Sequence, residues 1–149
     1  EGSSSTFYVD VPITTAQHSS QAIPQTQTDV NIINQIVWYV DNDVQQLDAM
    51  KTLVKKWGIQ LTIFHDPEQV IEAAKISQPD ILMMDFDLNA TTDGIELYES
   101  LKNFWQKHPK VYLLTATQDP NIRDQAKRSS MEYIKKPAKP AALRAILNR

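Results

Sequence analysis

The chain has 149 residues, 18 acids against 15 bases for a formal charge of −3, and no cysteine. That length suits one domain with a full core and is short for two, and the missing cysteines exclude a disulfide framework, a thiol nucleophile and a thiolate metal site. Residues 1–34 carry Glu1, Asp10 and Asp29 but no Lys or Arg, so fifteen acids and fifteen bases remain beyond them, a balance that argues against nucleic-acid binding.

Glu1 to Ile13 reads EGSSSTFYVDVPI, in which Phe7, Val9 and Val11 alternate with Tyr8 and Asp10 as in a half-buried strand. Residues 14–34 are rich in Thr, Ser and Gln and read as a linker. Gln35 to Val40 is the first strand of the globular part. Asp43 then stands three residues before Gln46, a capping-box spacing, and Val44, Leu47, Met50, Val54 and Trp57 mark one apolar helix face that Gly58 ends. Leu61 to Phe64 is a short second strand. Asp66-Pro67 opens a second helix with Val70, Ile71, Ala74 and Ile76 on its buried side.

The central stretch is Pro79 to Leu88, PDILMMDFDL. Its four consecutive apolar residues, bounded by a Pro-Asp turn and an acid, predict a strand buried on both faces that carries Asp85 to its carboxyl end. Ile95, Leu97, Leu101, Phe104 and Trp105 mark a third helix, and Val111 to Thr115 a fourth strand. Asp119-Pro120 starts a polar fourth helix running to about Arg128, Glu132 to Lys135 is a fifth strand, and Pro140 to Leu147 a last helix. Five strand–helix units with right-handed crossovers predict an α/β doubly wound parallel sheet of order 2-1-3-4-5 in a single domain over 35–149. The carboxyl ends of strands one, three, four and five then bring Asp41, Asp85, Thr115 and Lys136 to one edge, where open α/β sheets place their chemistry.

That set, in that order, resembles the receiver domain of two-component signalling over about Asn34 to Arg149, a flavodoxin-like (CheY-like) fold that accepts a phosphoryl group on aspartate. The resemblance implies Asp85 as the phosphoacceptor, Lys136 as the cation that pairs with it and then with a phosphoryl oxygen, and Thr115 as a hydroxyl donor to another oxygen. Acids grouped in a cleft are unfavourable without a cation, so Asp41, Asn42, Asp85 and Asp87 are the expected Mg²⁺ site, with Asp43 better explained as a helix cap. The family's Lys-Pro pair implies a cis bond between Lys136 and Pro137. Tyr133 stands where the family has an aromatic that turns inward as the threonine moves, which implies a switch read on helix four, strand five and helix five. The implied partner is a histidine-containing phosphodonor, either a kinase's dimerisation helices or a separate histidine phosphotransfer domain.

Residues 1–13 resemble the closing strand of a histidine-kinase ATP-binding domain, and the final run PAKPAALRA from Pro137 resembles receivers fused to hybrid sensor kinases. Both imply a receiver from a hybrid sensor histidine kinase. No run approaches the roughly 20 apolar residues of a membrane span and the N-terminus has no basic-then-apolar signal pattern. The expectation is therefore a cytoplasmic domain without direct membrane contact, whose parent kinase is free to be membrane-anchored.

Three departures stand against the family pattern. Asn42 replaces the second of two adjacent acids, the loop after Asp85 lacks Met-Pro and reaches Gly94 one residue late, and Ser129-Ser130 stands where a glycine usually precedes strand five. Two alternatives stay open, the first through Asn42 and the second through the Asp-x-Asp pattern after the apolar strand. One is a receiver fold that no longer takes phosphate and serves only as a docking module. The other is a haloacid-dehalogenase-type phosphohydrolase using Asp85-Phe86-Asp87, although Asn89 stands where that motif wants Thr or Val.

Overall fold

In the computed structural model, which describes residues 35–148, five strands alternate with five helices. They are β1 (Ile36–Val40), α1 (Val44–Lys55), β2 (Gln60–Phe64), α2 (Pro67–Ala74), β3 (Ile81–Asp85), α3 (Gly94–Leu101), β4 (Lys110–Thr115), α4 (Pro120–Arg128), β5 (Glu132–Lys135) and α5 (Pro140–Leu147), with a 3₁₀ turn at Lys102–Phe104 after α3. The sheet is parallel throughout, in the order β2-β1-β3-β4-β5. The expected strand over residues 1–13, the linker over 14–34 and the last residue, Arg149, lie outside the described residues.

The burial of β3 explains its central place. All five of its residues are buried, and their alternate side chains feed two separate cores. Leu82 and Met84 join Trp38, Val40, Val70, Leu97, Leu101 and Leu113 on one face. Ile81 and Met83 join Val37, Tyr39, Leu47, Val54, Tyr112 and Leu143 on the other, under α1 and α5. Burying one large aliphatic side chain contributes roughly 1.5–3 kcal/mol, so a continuous apolar strand between two helical layers is the favourable solution for this sequence.

Helix ends follow their local chemistry. Asp43, Asp66, Asp93 and Asp119 each accept a backbone N–H at the start of α1, α2, α3 and α4. The expected capping box at Asp43 takes a simpler form, with Asp43 accepting from the N–H of Gln45 at 2.9 Å. A reciprocal box forms instead at α3, where Asp93 accepts from Glu96 N–H at 2.9 Å and Glu96 accepts from Asp93 N–H at 3.0 Å. Gly58 has φ 76°, the left-handed geometry expected of it, but the helix proper stops at Lys55. Ser130 also takes a positive φ, 62°, in the turn before β5, so a serine adopts there the backbone shape for which glycine is usually needed.

Periodicity overreaches at several helix ends. Val44 is exposed as the first residue of α1, whose buried face begins only at Leu47. Ile76 follows the end of α2 and is 88% exposed, since the helical register that would have turned it inward has already stopped. Phe104 falls in the 3₁₀ turn and is exposed, while Trp105 beyond it is buried. Its indole N–H donates to Ala74 O at 3.2 Å and Ser77 O at 3.1 Å, which ties the end of α2 to the end of α3. α4 buries only Ala126 fully, in keeping with its polar sequence.

Candidate phosphoacceptor site

Each site residue arrives on a strand end. β1 delivers Asp41, whose N–H donates to Phe64 O at 3.1 Å as the ladder with β2 closes. β3 ends on Asp85, paired in register with Leu114 of β4. Thr115 lies one residue further on and pairs with Lys135 of β5. Lys136 is the next residue, its N–H held by Thr115 O at 2.9 Å, and its peptide bond to Pro137 is cis.

Asp41, Asp85 and Thr115 are the buried polar or charged residues among the described ones, at 0%, 7% and 0% exposure. Two buried carboxylates are costly unless they are paired and hydrogen-bonded. Here the ammonium of Lys136 stands between them, 2.9 Å from Asp41 Oδ2 and 3.3 Å from Asp85 Oδ1. Asp41 is otherwise well supplied, accepting from the phenol of Tyr39 at 2.7 Å through Oδ2 and from Asp43 N–H at 2.9 Å through Oδ1. Asp85 leans on Lys136 at a longer distance and is the less satisfied of the two.

The electrostatics follow from this arrangement. Burial raises the pKa of Asp85 above the ordinary carboxylate range, and the charges of Asp41 and Asp87 add to the rise, against the lowering effect of Lys136. Burial opposes the charge on Lys136, but the hydrogen bonds and charges of Asp41 and Asp85 outweigh it and hold its pKa above the usual lysine value. Burial, helped by Asp41, also keeps the Tyr39 phenol firmly protonated, and hence a donor.

The remaining expected residues stand further out. Asn42 is exposed at the start of the β1–α1 loop, and Asp87 is exposed, its backbone bridged to Asp93. Among the described residues no three His, Cys, Asp or Glu side chains gather closely enough to form a metal cluster. Tyr133 is half-buried on the edge strand, its hydroxyl donating to Thr117 O and its ring 4.8 Å below the guanidinium of Arg123. Thr115 Oγ1 accepts from Thr117 N–H at 3.1 Å, so one short loop touches both members of the expected switch.

Two contributors escape a reading of the sequence alone. Tyr39 reads there as strand apolar surface, although its place two residues before Asp41 puts both on one face of β1. Gly94 reads as a loop terminus, but a Cβ there would stand 2.5 Å from Asp85 O and 2.8 Å from Leu113 Cδ1. Only glycine lets the start of α3 approach the end of β3 so closely, with Gly94 N–H donating to Phe86 O at 2.8 Å. Gly94→Ala is therefore expected to destabilise the fold by about 1–3 kcal/mol, the cost of overpacking, and to shift the end of β3. Thermal unfolding of the variant checks it; an unchanged midpoint would mean that the backbone there yields freely.

The model of the response regulator receiver domain matches residues 37–148. The chain belongs to the receiver family. The receiver is 32% identical over 106 residues to Protein RcaC of Microchaete diplosiphon, across 69% of this chain and 16% of that protein. It is 30% identical over 105 residues to the DNA-binding transcriptional regulator NtrC of Escherichia coli K12, across 68% of this chain and 22% of that one. It thus spans only a minor part of these longer relatives.

Among solved structures, the receiver domain of sensor histidine kinase PA1611 from Pseudomonas aeruginosa, described with a magnesium ion in its active-site cleft, superposes with TM-score 0.67 at 24% identity, over 77% of this chain and 95% of that one. A Clostridium difficile two-component response regulator gives 0.70 at 18% identity, over 76% and 93%. The receiver domain of Ssk1 from Saccharomyces cerevisiae, solved with the histidine phosphotransfer protein Ypd1, gives 0.67 at 19%, over 76% and 86%. These likenesses carry the fold. The phosphohydrolase alternative lapses with the family match.

Proposed function

We propose that this receiver takes a phosphoryl group from a phosphohistidine onto Asp85. The observation that carries the reading is the buried pair of carboxylates, Asp41 and Asp85, bridged by one lysine at the carboxyl edge of the sheet. In the transfer, Asp85 Oδ attacks phosphorus, the P–N bond to the donor imidazole breaks with its electron pair going to nitrogen, and the ring leaves as neutral imidazole because its other nitrogen already carries a proton. The product is an acyl phosphate. Charge on the phosphoryl oxygens is then met by Lys136, which already lies 3.3 Å from the acceptor, and by the hydroxyl of Thr115 at the next strand end.

The donor set suits a hard divalent cation. Two buried carboxylates against one ammonium leave an uncompensated negative charge, and burial, with the charges of Asp41 and Asp87 adding to it, raises the pKa of Asp85 despite Lys136. Asp41 and Asp85 would hold Mg²⁺ with the amide oxygen of Asn42 and the backbone carbonyl of Asp87, and the ion would supply neutralising charge. Asn42 brings an oxygen but no charge, and the carboxylate of Asp87 acts on Asp85 through the field. Asn42→Asp is expected to tighten Mg²⁺ binding by roughly tenfold, since a carboxylate is preferred over a neutral ligand. Asp87→Asn should weaken it more than Glu99→Gln does. Fluorescence titration with Mg²⁺ reads both, and equal affinities for Asp87→Asn and wild type would show that the Asp87 carboxylate gives the ion no help.

The donor in this reading is a helical bundle bearing a histidine, as kinase dimerisation helices or a separate phosphotransfer domain, and the pairing of the Ssk1 receiver with Ypd1 supports it. Phosphorylation drawing Thr115 toward the phosphoryl group would alter the Thr117 loop that holds Tyr133, which makes this the switch. Origin in a hybrid sensor kinase, and with it a cytoplasmic location, rests on residues 1–13, on the PAKPAALRA run and on the fold shared with the PA1611 receiver. No helix among the described residues is long and apolar enough to cross a membrane. Intact-mass measurement after incubation with a small phosphoramidate and Mg²⁺ tests the function directly. A gain of one phosphoryl group supports it, and no gain under any metal would leave a docking module.

A further inference from the structure

We propose that Tyr39 is a positioning residue for phosphoryl transfer, holding Asp41 in place when Lys136 moves its charge from Asp41 to the phosphoryl group. The inference rests on the phosphoacceptor reading above. Its physical basis is that one oxygen, Asp41 Oδ2, receives two donors, the Tyr39 phenol at 2.7 Å and the Lys136 ammonium at 2.9 Å. Asp41 has no solvent exposure and Tyr39 is 1% exposed, so water does not readily replace the phenol.

The lysine cannot serve both ends of the reaction equally. Before transfer it divides itself between Asp41 and Asp85. As negative charge builds on the phosphoryl oxygens it is drawn toward them, and its hold on Asp41 weakens. A buried carboxylate oxygen stripped of every donor is strongly disfavoured. Tyr39 prevents that stripping. Its ring is wedged in the core formed with Leu47, Met50, Met83, Leu114 and Leu143, so the hydroxyl has a fixed origin and cannot follow the lysine. A cavity of about 140 Å³ has Tyr39, Gln46, Met50, Leu114, Lys136 and Leu143 among its lining residues, so the packing around Lys136 is not closed.

Tyr39→Phe removes one hydroxyl and keeps the ring. With small phosphoramidate as donor and saturating Mg²⁺, the maximal phosphorylation rate is expected to fall about tenfold, the loss of one hydrogen bond to a charged group. The donor KM should not change, since Tyr39 lies behind Asp41 and touches no donor. An unchanged rate, or a slower rate with a raised KM, would overturn the proposal. If wild type itself gains no phosphoryl group, the phosphoacceptor reading fails instead, and a double-mutant cycle in the metal-free protein decides the tyrosine's part. There, Tyr39→Phe and Lys136→Met together should destabilise by more than the sum of the single changes, because only the pair strips Oδ2 of both donors; additive effects would overturn the shared hold. Should Tyr39→Phe fail to fold, the Cζ resonance of Tyr39 in ¹³C-labelled wild type gives the answer. It should stay at a hydrogen-bonded position when Mg²⁺ and beryllofluoride are added, and a move to the free-phenol position would refute the idea.

Discussion

Asp85→Asn is expected to abolish phosphoryl uptake and, in the metal-free protein, to raise stability at neutral pH. The first effect follows because Asp85 alone combines a central strand end with a lysine 3.3 Å away and a threonine at the adjacent strand end. An amide oxygen is too weak a nucleophile to replace the carboxylate. Intact mass after exposure to the phosphodonor reads the result, and an undiminished gain would assign the acceptor elsewhere.

The second effect is a matter of linkage. The folded-state pKa of Asp85 is raised, so between the ordinary aspartate value and the raised one the folded protein binds more protons than the unfolded chain. Stability contributed by the protonated form is present below that window and is lost as pH rises through it. At neutral pH wild type therefore carries a buried, undercompensated charge that asparagine lacks. Removing it should stabilise the metal-free protein by about 1 kcal/mol, and denaturant titrations should show a flatter fall in stability with rising pH above the normal carboxylate range. Destabilisation by Asp85→Asn at neutral pH would mean that the Lys136 pair outweighs the cost of burial.

Lys136→Ala should have the larger structural effect. Its ammonium is the only cation against Asp41 and Asp85 among the described residues, and its side chain is 18% exposed. Removing one partner from a buried ion pair typically costs about 3–5 kcal/mol, with the lower end expected at a cleft open on one side. Because its folded-state pKa is raised, the stability it contributes is complete below the unfolded lysine value and is lost only as pH rises through the folded one. Neutral solution therefore shows the full effect. In the variant, acidification should restore stability as Asp85 takes up a proton. Phosphorylation should slow by about 10²–10³, the scale of losing one preorganised charge-stabilising group. Urea unfolding at two pH values, together with uptake rates, checks both; wild-type stability and rate would reduce Lys136 to solvated surface.

The strand that carries Asp85 is legible in the sequence because an uninterrupted apolar run between a Pro-Asp turn and an acid has few other solutions in a chain of this length. The strand order and the meeting of Asp41, Asp85, Thr115 and Lys136 at one edge follow from alternating elements and the handedness of crossovers, which local sequence encodes. Helix ends are less legible. Val44, Ile76 and Phe104 fit an apolar period but lie where a helix starts or has stopped, and period alone does not register the end of a layer.

What only the tertiary structure decided is how charge is shared within the site. Sequence placed the acids and the lysine together, but not that Lys136 divides itself between Asp41 and Asp85, that the phenol of Tyr39 supports Asp41 from the core, or that the carboxylate of Asp87 stays outside the pair. Nor does Gly94 announce from sequence that it lies against the backbone of Asp85. These are contacts between residues from separate strands and loops, set by a few tenths of an ångström in how the sheet and helices pack. Residue type and spacing specify which groups reach the edge of the sheet; packing specifies which of them touch.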